Sequence, residues 1–254
     1  MKKFFALCLF LMIFSPSNVF ADTQPKIGVI GAMDVEVETL KQAADIERKI
    51  TRAEMEFCEG KLGGIDVVIV KCGMGKVNAG ICVQILRDIF SVTHIINTGI
   101  AGSLNTLDIG DIVVAVDTVQ HDYDVTPIGF KKGEIPYTGL VAFKSDEALR
   151  EKAVKAAKKV APEAQVIEGR ICTGDQFIDT KEKKERITSS FGGDCCEMES
   201  GAIAQACYLN KVPFIIIRAI SDKADSDETV DFKEFEERTA KLCASITEYM
   251  IKNF

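Results

Sequence analysis

Phe214-Ile215-Ile216-Ile217 is an uninterrupted apolar run set between Pro213 and the charged Arg218, and no other stretch limits the fold as much. A short run bounded by a breaker is the pattern of a strand buried on both faces, which belongs in a sheet covered by helices on either side. Upstream, Ala202, Ile203, Ala206 and Leu209 recur at helical spacing, and ahead of them stands the acidic cluster Glu197-Met198-Glu199. Downstream come Arg218, Ser221 and Asp222. In an open α/β sheet, ligands collect beyond the carboxyl ends of the strands, so Asp222 lies where a proton donor could meet a bound molecule. Ser-Asp pairs also cap turns and helices, and position alone leaves the two readings open.

The rest of the chain alternates in the same way. Lys26 to Ala32 predicts a first strand, and Met33 to Leu40 a helix with Val37 and Leu40 on one face. Glu36 falls in that helix's first turn, where a carboxylate gains from the helix dipole whatever else it does. Gly60 to Gly64 reads as a turn and Asp66 to Lys71 as a strand leading into Cys72-Gly73-Met74-Gly75-Lys76. The spacing there is not that of a P-loop, and Gly28 and Gly31 do not complete a G-x-G-x-x-G. A helix follows over Val77 to Phe90, then a buried strand, His94 to Thr98. Gly99 to Ser103 is either a tight turn or a place where a ligand approaches the backbone. Gly110 to Val119 and Gly169 to Ile178 are expected strands. Asp146 offers a cap for a helix through Val160, and Asp231 to Glu234 has the spacing of a capping box before a C-terminal helix. Together these predict a single-domain, three-layer α/β/α fold with a mixed central sheet.

The 254 residues carry a formal net charge of -7, without a clustered basic stripe, which argues against nucleic acid as a partner. Residues 1–21 stand apart. Lys2 and Lys3 precede an apolar run from Phe4 to Phe14, and Ser15-Pro16-Ser17 and Val19-Phe20-Ala21 follow. This is the pattern of a signal peptide cleaved after Ala21. The run is too short to span a bilayer, which takes about 20 residues. The mature chain, residues 22–254, is thus expected outside the cytoplasm and free of membrane. The nine cysteines show neither metal-ligand spacing nor a regular disulfide framework, and no metal or cofactor is expected.

In order along the chain stand IGVIGAMDVEVE, CGMGKVNA, NTGIAGSL, GDIVVA, HDYDVT, TGDQFI, EMES and RAISDKAD. Taken together over residues 26 to 250, they resemble the 5'-methylthioadenosine/S-adenosylhomocysteine nucleosidases, within the purine nucleoside phosphorylase superfamily. The resemblance implies a nucleoside phosphorylase-like fold and hydrolysis of the N-glycosidic bond of adenine thionucleosides. It implies that Glu36 activates the water and that Asp222 protonates N7 of adenine. Glu199 would bind the ribose hydroxyls with Met198 against the sugar, Phe177 would stack on adenine, and the Ile178 backbone would read the base edge. Ser221 and Arg218 would support Asp222 and the ribose side. Ala32, Met33, Met74, Ile100, Ala101, Gly102, Glu197 and Phe232 would complete the substrate pocket. Val125, Ile128 and Pro136 would reach the partner subunit's thioalkyl pocket in a homodimer.

The chemistry agrees with such a pair of carboxylates. Breaking an N-ribosidic bond builds positive charge on the sugar, which calls for a leaving-group acid, a water-activating base and nearby negative charge. Ile100 stands where some members carry Ser, Ile128 where an aromatic is common, and the leader is unusual for a family whose substrates arise in the cytosol. Other activities fit the same pattern: a phosphate-dependent purine nucleoside phosphorylase, an aminodeoxyfutalosine hydrolase, or an exported binding or adhesion protein on the same fold.

Overall fold

The computed structural model describes residues 24–224 and 228–254, apart from the side chains of residues 228–234. The leader-like segment and the Phe232 side chain therefore lie outside the described residues. The first strand, β1 (Lys26–Gly31), pairs in parallel with β4 (Ile65–Lys71) on one side and β5 (His94–Ser103) on the other. Between them run α1 (Asp34–Ala43) and α2 (Lys76–Phe90). A hairpin of β2 (Asp45–Arg52) and β3 (Met55–Leu62) extends the sheet antiparallel beyond β4.

On the far side, β5 pairs in parallel with β10 (Phe214–Asp222), the strand of the Ile run. The strand β6 (Ile112–Gln120) lies antiparallel to β10 and parallel to β8 (Val166–Thr173), and the short β7 (Ala142–Lys144) hangs from β6. A three-residue strand, β9 (Cys195–Glu197), pairs with both β8 and the end of β5. The mixed sheet thus closes on itself through β5, β10, β6, β8 and β9.

Helices cover the sheet on both faces. On one, α2 and α5 (Ser200–Asn210) pack over a core that includes Leu86, Phe90, Ile203, Phe214 and Ile216. On the other, α1, α3 (Glu147–Val160) and α6 (Glu228–Lys252) bury Leu40, Leu149, Ile215, Ile217 and Ile246. Phe214 to Ile217 alternate between the two cores, which is why that run of β10 is apolar at every position rather than every second one. A smaller cluster beneath α4 (Lys181–Phe191) holds Leu104, Cys172, Ile187 and Phe191.

Several expectations shift in detail. Gly99 to Ser103 is not a turn. The strand β5 continues through it because β10 and then β9 take up its backbone groups. The β8 strand starts three residues ahead of Gly169 and stops at Thr173, so Gly174 to Ile178 is a loop. Asp146 caps α3, accepting the Leu149 N–H at 2.9 Å. Asp231 falls inside α6, which begins upstream at Glu228, and its side chain lies outside the described residues. Leu209 faces outward and is 63% exposed.

Candidate active site

The parallel strands β1, β5 and β10 all end at the same edge of the sheet, and each delivers part of one cleft there. It encloses about 600 Å³ including its open mouth, within the range of small-molecule sites. Ala32, Met33 and Glu36 come from the β1–α1 junction, Met74 from the loop before α2, and Ile100, Ala101 and Gly102 from β5. Phe177 and Ile178 come from the loop after β8, Glu197, Met198 and Glu199 from the β9–α5 junction, and Ser221 and Asp222 from β10.

Glu36 holds a double place. As the third residue of α1 it turns back to accept the N–H of Met33, the residue capping that helix, at 2.9 Å, the carboxylate half of a capping box. The same oxygen, Oε2, accepts from Ala32 N at 2.6 Å, and Oε1 accepts from Ile100 N at 3.1 Å. Burial pushes this carboxyl above its ordinary range, against the pull of Arg218 and the backbone N–H groups. The dipole reading and the pocket reading of Glu36 thus hold together.

Asp222 is buried at the end of β10, where a register shift between Ile220 and Asp222 leaves Ser221 as an extra residue against β5. Bulges of this kind re-aim side chains. Asp222 Oδ2 accepts from Ser221 Oγ at 2.6 Å, and Oδ1 accepts from Ala224 N at 3.2 Å.

Glu199 precedes α5 and reaches across the cleft to α2, accepting from Gly75 N at 2.8 Å through Oε1. Gly75 is the residue capping α2 and has φ +95°, a left-side conformation that suits glycine. Burial, reinforced by the nearby Glu197 charge, pushes the Glu199 carboxyl up to about 8. Glu197 goes the other way. Burial opposes its charge, yet Arg218 and the hydroxyls of Thr173 and Ser200 hold its pKa below the ordinary value. Its Oε2 meets Arg218 Nη2 at 2.7 Å, with both side chains nearly sealed from solvent.

Arg218 does not line the cleft. It lies one layer beneath, where Nη2 also donates to Asn97 Oδ1 and to Ser200 Oγ, 2.5 and 3.0 Å away. From there it supports Glu197, which lines the cleft. Val125, Ile128 and Pro136 also lie outside this chain's own cleft, with Ile128 72% exposed. Gln176 and Cys196 line the cleft without having been singled out from sequence. Gln176 is flagged only by adjacency to Phe177, and Cys196 only by alternation along β9, a strand too short to recognise. Among the described lining residues the charged groups are all carboxylates, with no Lys, Arg or His. No cluster of His, Cys, Asp and Glu fit for a metal ion occurs among the described residues.

Such a cleft can bind a neutral, partly aromatic molecule and offer it buried carboxylates from opposite walls. Residues 26–252 match the phosphorylase superfamily. A 5'-methylthioadenosine/S-adenosylhomocysteine nucleosidase of Geobacillus sp. (strain WCH70) is 42% identical over 87% of this chain and 95% of its own. The nucleosidase of that name from Neisseria meningitidis, solved with methylthio-immucillin-A, superposes with a TM-score of 0.87 at 35% identity, covering 90% of this chain and 99% of its own. A futalosine hydrolase of Helicobacter pylori strain 26695 superposes with a TM-score of 0.86 at 30% identity, over 91% and 98% of the two chains. By sequence, by fold and by the acidic cleft at the strand ends, the chain belongs to the 5'-methylthioadenosine/S-adenosylhomocysteine nucleosidase family of the phosphorylase superfamily.

Proposed function

We propose that the protein hydrolyses the N-glycosidic bond of 5'-methylthioadenosine and S-adenosylhomocysteine, releasing adenine and the thioribose sugar. The observation that carries this reading is the pairing of Glu36 and Asp222 on one cleft whose described lining holds no cation. Glu36, its pKa raised by burial, takes a proton from water as the oxygen bonds to C1'. The N9–C1' electron pair leaves with adenine, and Asp222 supplies a proton to N7. Glu199 keeps Oε1 on Gly75 and has Oε2 for a ribose hydroxyl. Phe177, 42% exposed at the mouth, stacks on the base.

Phosphorolysis would need a phosphate beside C1', held by Arg, Lys or helix N–H groups. At that position the N–H groups of Ala32, Met33 and Ile100 are already taken by the Glu36 carboxylate, which would repel phosphate. The second reading, a hydrolase of 6-amino-6-deoxyfutalosine, is supported by the similarity to the futalosine hydrolase. It would use the same acid and base and differ only in the 5' group.

Two further parts of the reading concern assembly and location. The protein is a homodimer in which Val125, Ile128 and Pro136 complete the partner's thioalkyl pocket. Val77 and Ile81 on α2 and Tyr208 and Leu209 on α5 are exposed apolar residues, and the Gln84–Asn210 hydrogen bonds join the two helices at this surface. The protein is also exported, on the strength of residues 1–21, and the superfamily match begins downstream of them at residue 26.

The test is adenine release from 5'-methylthioadenosine, S-adenosylhomocysteine and aminodeoxyfutalosine by the purified protein, with and without phosphate. Release that is independent of phosphate and yields the free sugar is expected. Activity proportional to phosphate, with a sugar 1-phosphate as product, would overturn the assignment of Glu36. No release with any of them would leave the binding-protein reading standing.

A further inference from the structure

At the N-terminus of α2, two consecutive backbone N–H groups go to two different walls of the cleft. Gly75 N donates to Glu199 Oε1 at 2.8 Å, and Lys76 N donates to Asp175 Oδ1 at 2.9 Å. Asp175 immediately precedes Gln176, Phe177 and Ile178, the loop that faces the base side of the cleft. Its own N–H donates to Asp122 Oδ2 at 2.9 Å, and Asp122 Oδ1 accepts from Lys76 Nζ at 2.6 Å. Lys76 and Asp122 are mostly buried, their side chains 18% and 15% exposed. The circuit therefore runs from α2 to Asp175, from Asp175 to Asp122, and back to α2 through the Lys76 side chain.

We infer that Asp175, held by Asp122 and Lys76, is a positioning residue that fixes the Phe177 loop in register with Glu199. The inference rests on the proposed nucleosidase reading. Three features support it. The loop has left the sheet after Thr173, so no strand pairing holds Asp175 to Ile178. Gln176 and Phe177, the next residues along the loop, line the cleft themselves, so a shift of Asp175 is passed straight to the lining. And the helix terminus that fixes Glu199 also fixes Asp175 through the next N–H, close enough that a Cβ on Gly75 would lie 3.1 Å from Asp175 Oδ1. A base stacked on Phe177 and a ribose held by Glu199 belong to one rigid nucleoside, so the two walls must keep their spacing. Sharing adjacent N–H groups of a single helix does this directly.

Asp175 itself touches neither base nor ribose in this arrangement. Its loss should loosen ground-state binding more than the chemical step, which Glu36 and Asp222 carry. Asp175 is exposed, its side chain 49% accessible, so loss of its hydrogen bonds corresponds to about a 2- to 10-fold change in affinity.

The experiment compares Asp175→Ala, Asp175→Asn and Asp122→Ala in the full chain. It reads kcat and KM for 5'-methylthioadenosine, adenine binding by calorimetry, and thermal midpoint. Asp175→Ala should raise KM and the adenine Kd about 2- to 10-fold with kcat close to that of the parent. Asp175→Asn, whose amide oxygen can still accept the Lys76 N–H, should recover most of that loss. Asp122→Ala should resemble Asp175→Ala, which keeps the proposal testable if one alanine variant fails to fold. Unchanged KM and adenine Kd in both folded alanine variants would overturn it, as would a fall in kcat alone. A parent protein that binds adenine but releases none from nucleosides would instead refute the nucleosidase reading, while the binding comparison would still judge the clamp.

Discussion

A Cβ added to Gly102 would lie 2.5 Å from Asp222 Oδ1, and one added to Gly99 would lie 2.5 Å from Glu36 Oε1. Both glycines are on β5, three residues apart, and each bare Cα is the floor against which one of the two carboxylates rests. Strand β5 is thus the template that spaces the proposed acid from the proposed base.

Alanine at either glycine is therefore expected to push one carboxylate out of place. Gly102→Ala should lower adenine release through Asp222, and Gly99→Ala through Glu36, while the circular dichroism spectrum stays unchanged. Overpacking of this kind costs about 1–3 kcal/mol, enough for roughly a 5- to 100-fold loss in rate if it falls on the chemical step. Steady-state kinetics of both variants check this, and wild-type turnover in Gly102→Ala would mean that Asp222 has freedom the packing does not suggest.

Asp222→Asn keeps the shape of the side chain. Its amide can donate to the Ser221 hydroxyl while its oxygen accepts from Ala224 N–H, so ligand binding should survive. The proton for N7 is gone, and kcat should fall by about 10²–10⁴-fold, the usual share of general acid catalysis. Glu36→Gln should lose a similar factor through the water. Single-turnover adenine release with a parallel binding measurement separates these effects, and turnover above about a tenth of the parent would remove the residue from the acid role.

Which parts of this arrangement can be read from residues alone follows from how local each one is. Strand β10 is legible because Pro213 and the Ile run bound it, and the α3 cap because Asp146 sits where an N-cap acceptor is needed. The β2–β3 hairpin escapes notice. Its outer strand is charged and largely exposed, and its turn places Ala53 and Glu54 at positive φ instead of using an Asn-Gly pair. Closure of the sheet by β9 depends on pairings with β5 and β8, distant in sequence, which no local pattern encodes. Arg218 shows a similar limit. Alternation from Ile216 and Ile220 gives the face of the sheet it projects from, whereas its depth beneath the cleft is set by Asn97, Glu197 and Ser200.

The Glu199 carboxyl makes a prediction about stability and pH. It would titrate near 4.5 in the unfolded chain but at about 8 in the fold, chiefly through burial and then through Glu197. Between these values the folded protein keeps a proton that the unfolded chain has released, so stability falls as pH rises. The contribution is fully present below about 4.5 and is lost as pH passes about 8. Glu199→Gln removes this titration while its amide oxygen can still accept from Gly75. The fall in thermal midpoint across that window should be shallower in the variant, with part of the slope remaining from Glu36. Parallel profiles for variant and parent would show that Glu199 titrates normally.

The exposed apolar face on α2 and α5 predicts how the proposed dimer can be broken. Val77, 73% exposed, and Leu209, 63% exposed, have no structural reason to be apolar in an isolated chain. Val77→Glu combined with Leu209→Glu should shift sedimentation at micromolar concentration from dimer to monomer. Because Val125, Ile128 and Pro136 lie outside their own chain's cleft, the monomer should also bind alkylthio substrates more weakly than it binds adenine. A parent protein that sediments only as a monomer would dispose of the dimer.

Arg218 and Glu197 form a buried ion pair at 2.7 Å, and neither side chain is more than 4% exposed. Removing one member of such a pair strands the other, at a cost of about 3–5 kcal/mol. Arg218→Met fills much of the same space but leaves the Glu197 charge uncompensated beneath the cleft. Glu197 would then rise in pKa, and Glu199 would lose two opposing influences, the Glu197 charge that raises its pKa and the Arg218 charge that lowers it. Arg218→Met should therefore lower the denaturation midpoint sharply and alter the pH profile of activity as well. Adding Glu197→Gln removes the stranded charge and should restore part of the stability, since the amide can still accept from the Ser200 and Thr173 hydroxyls. Chemical denaturation of the two single variants and the double variant forms the cycle that measures the coupling. Additive losses would mean that Arg218 acts through Asn97 and Ser200 rather than through Glu197.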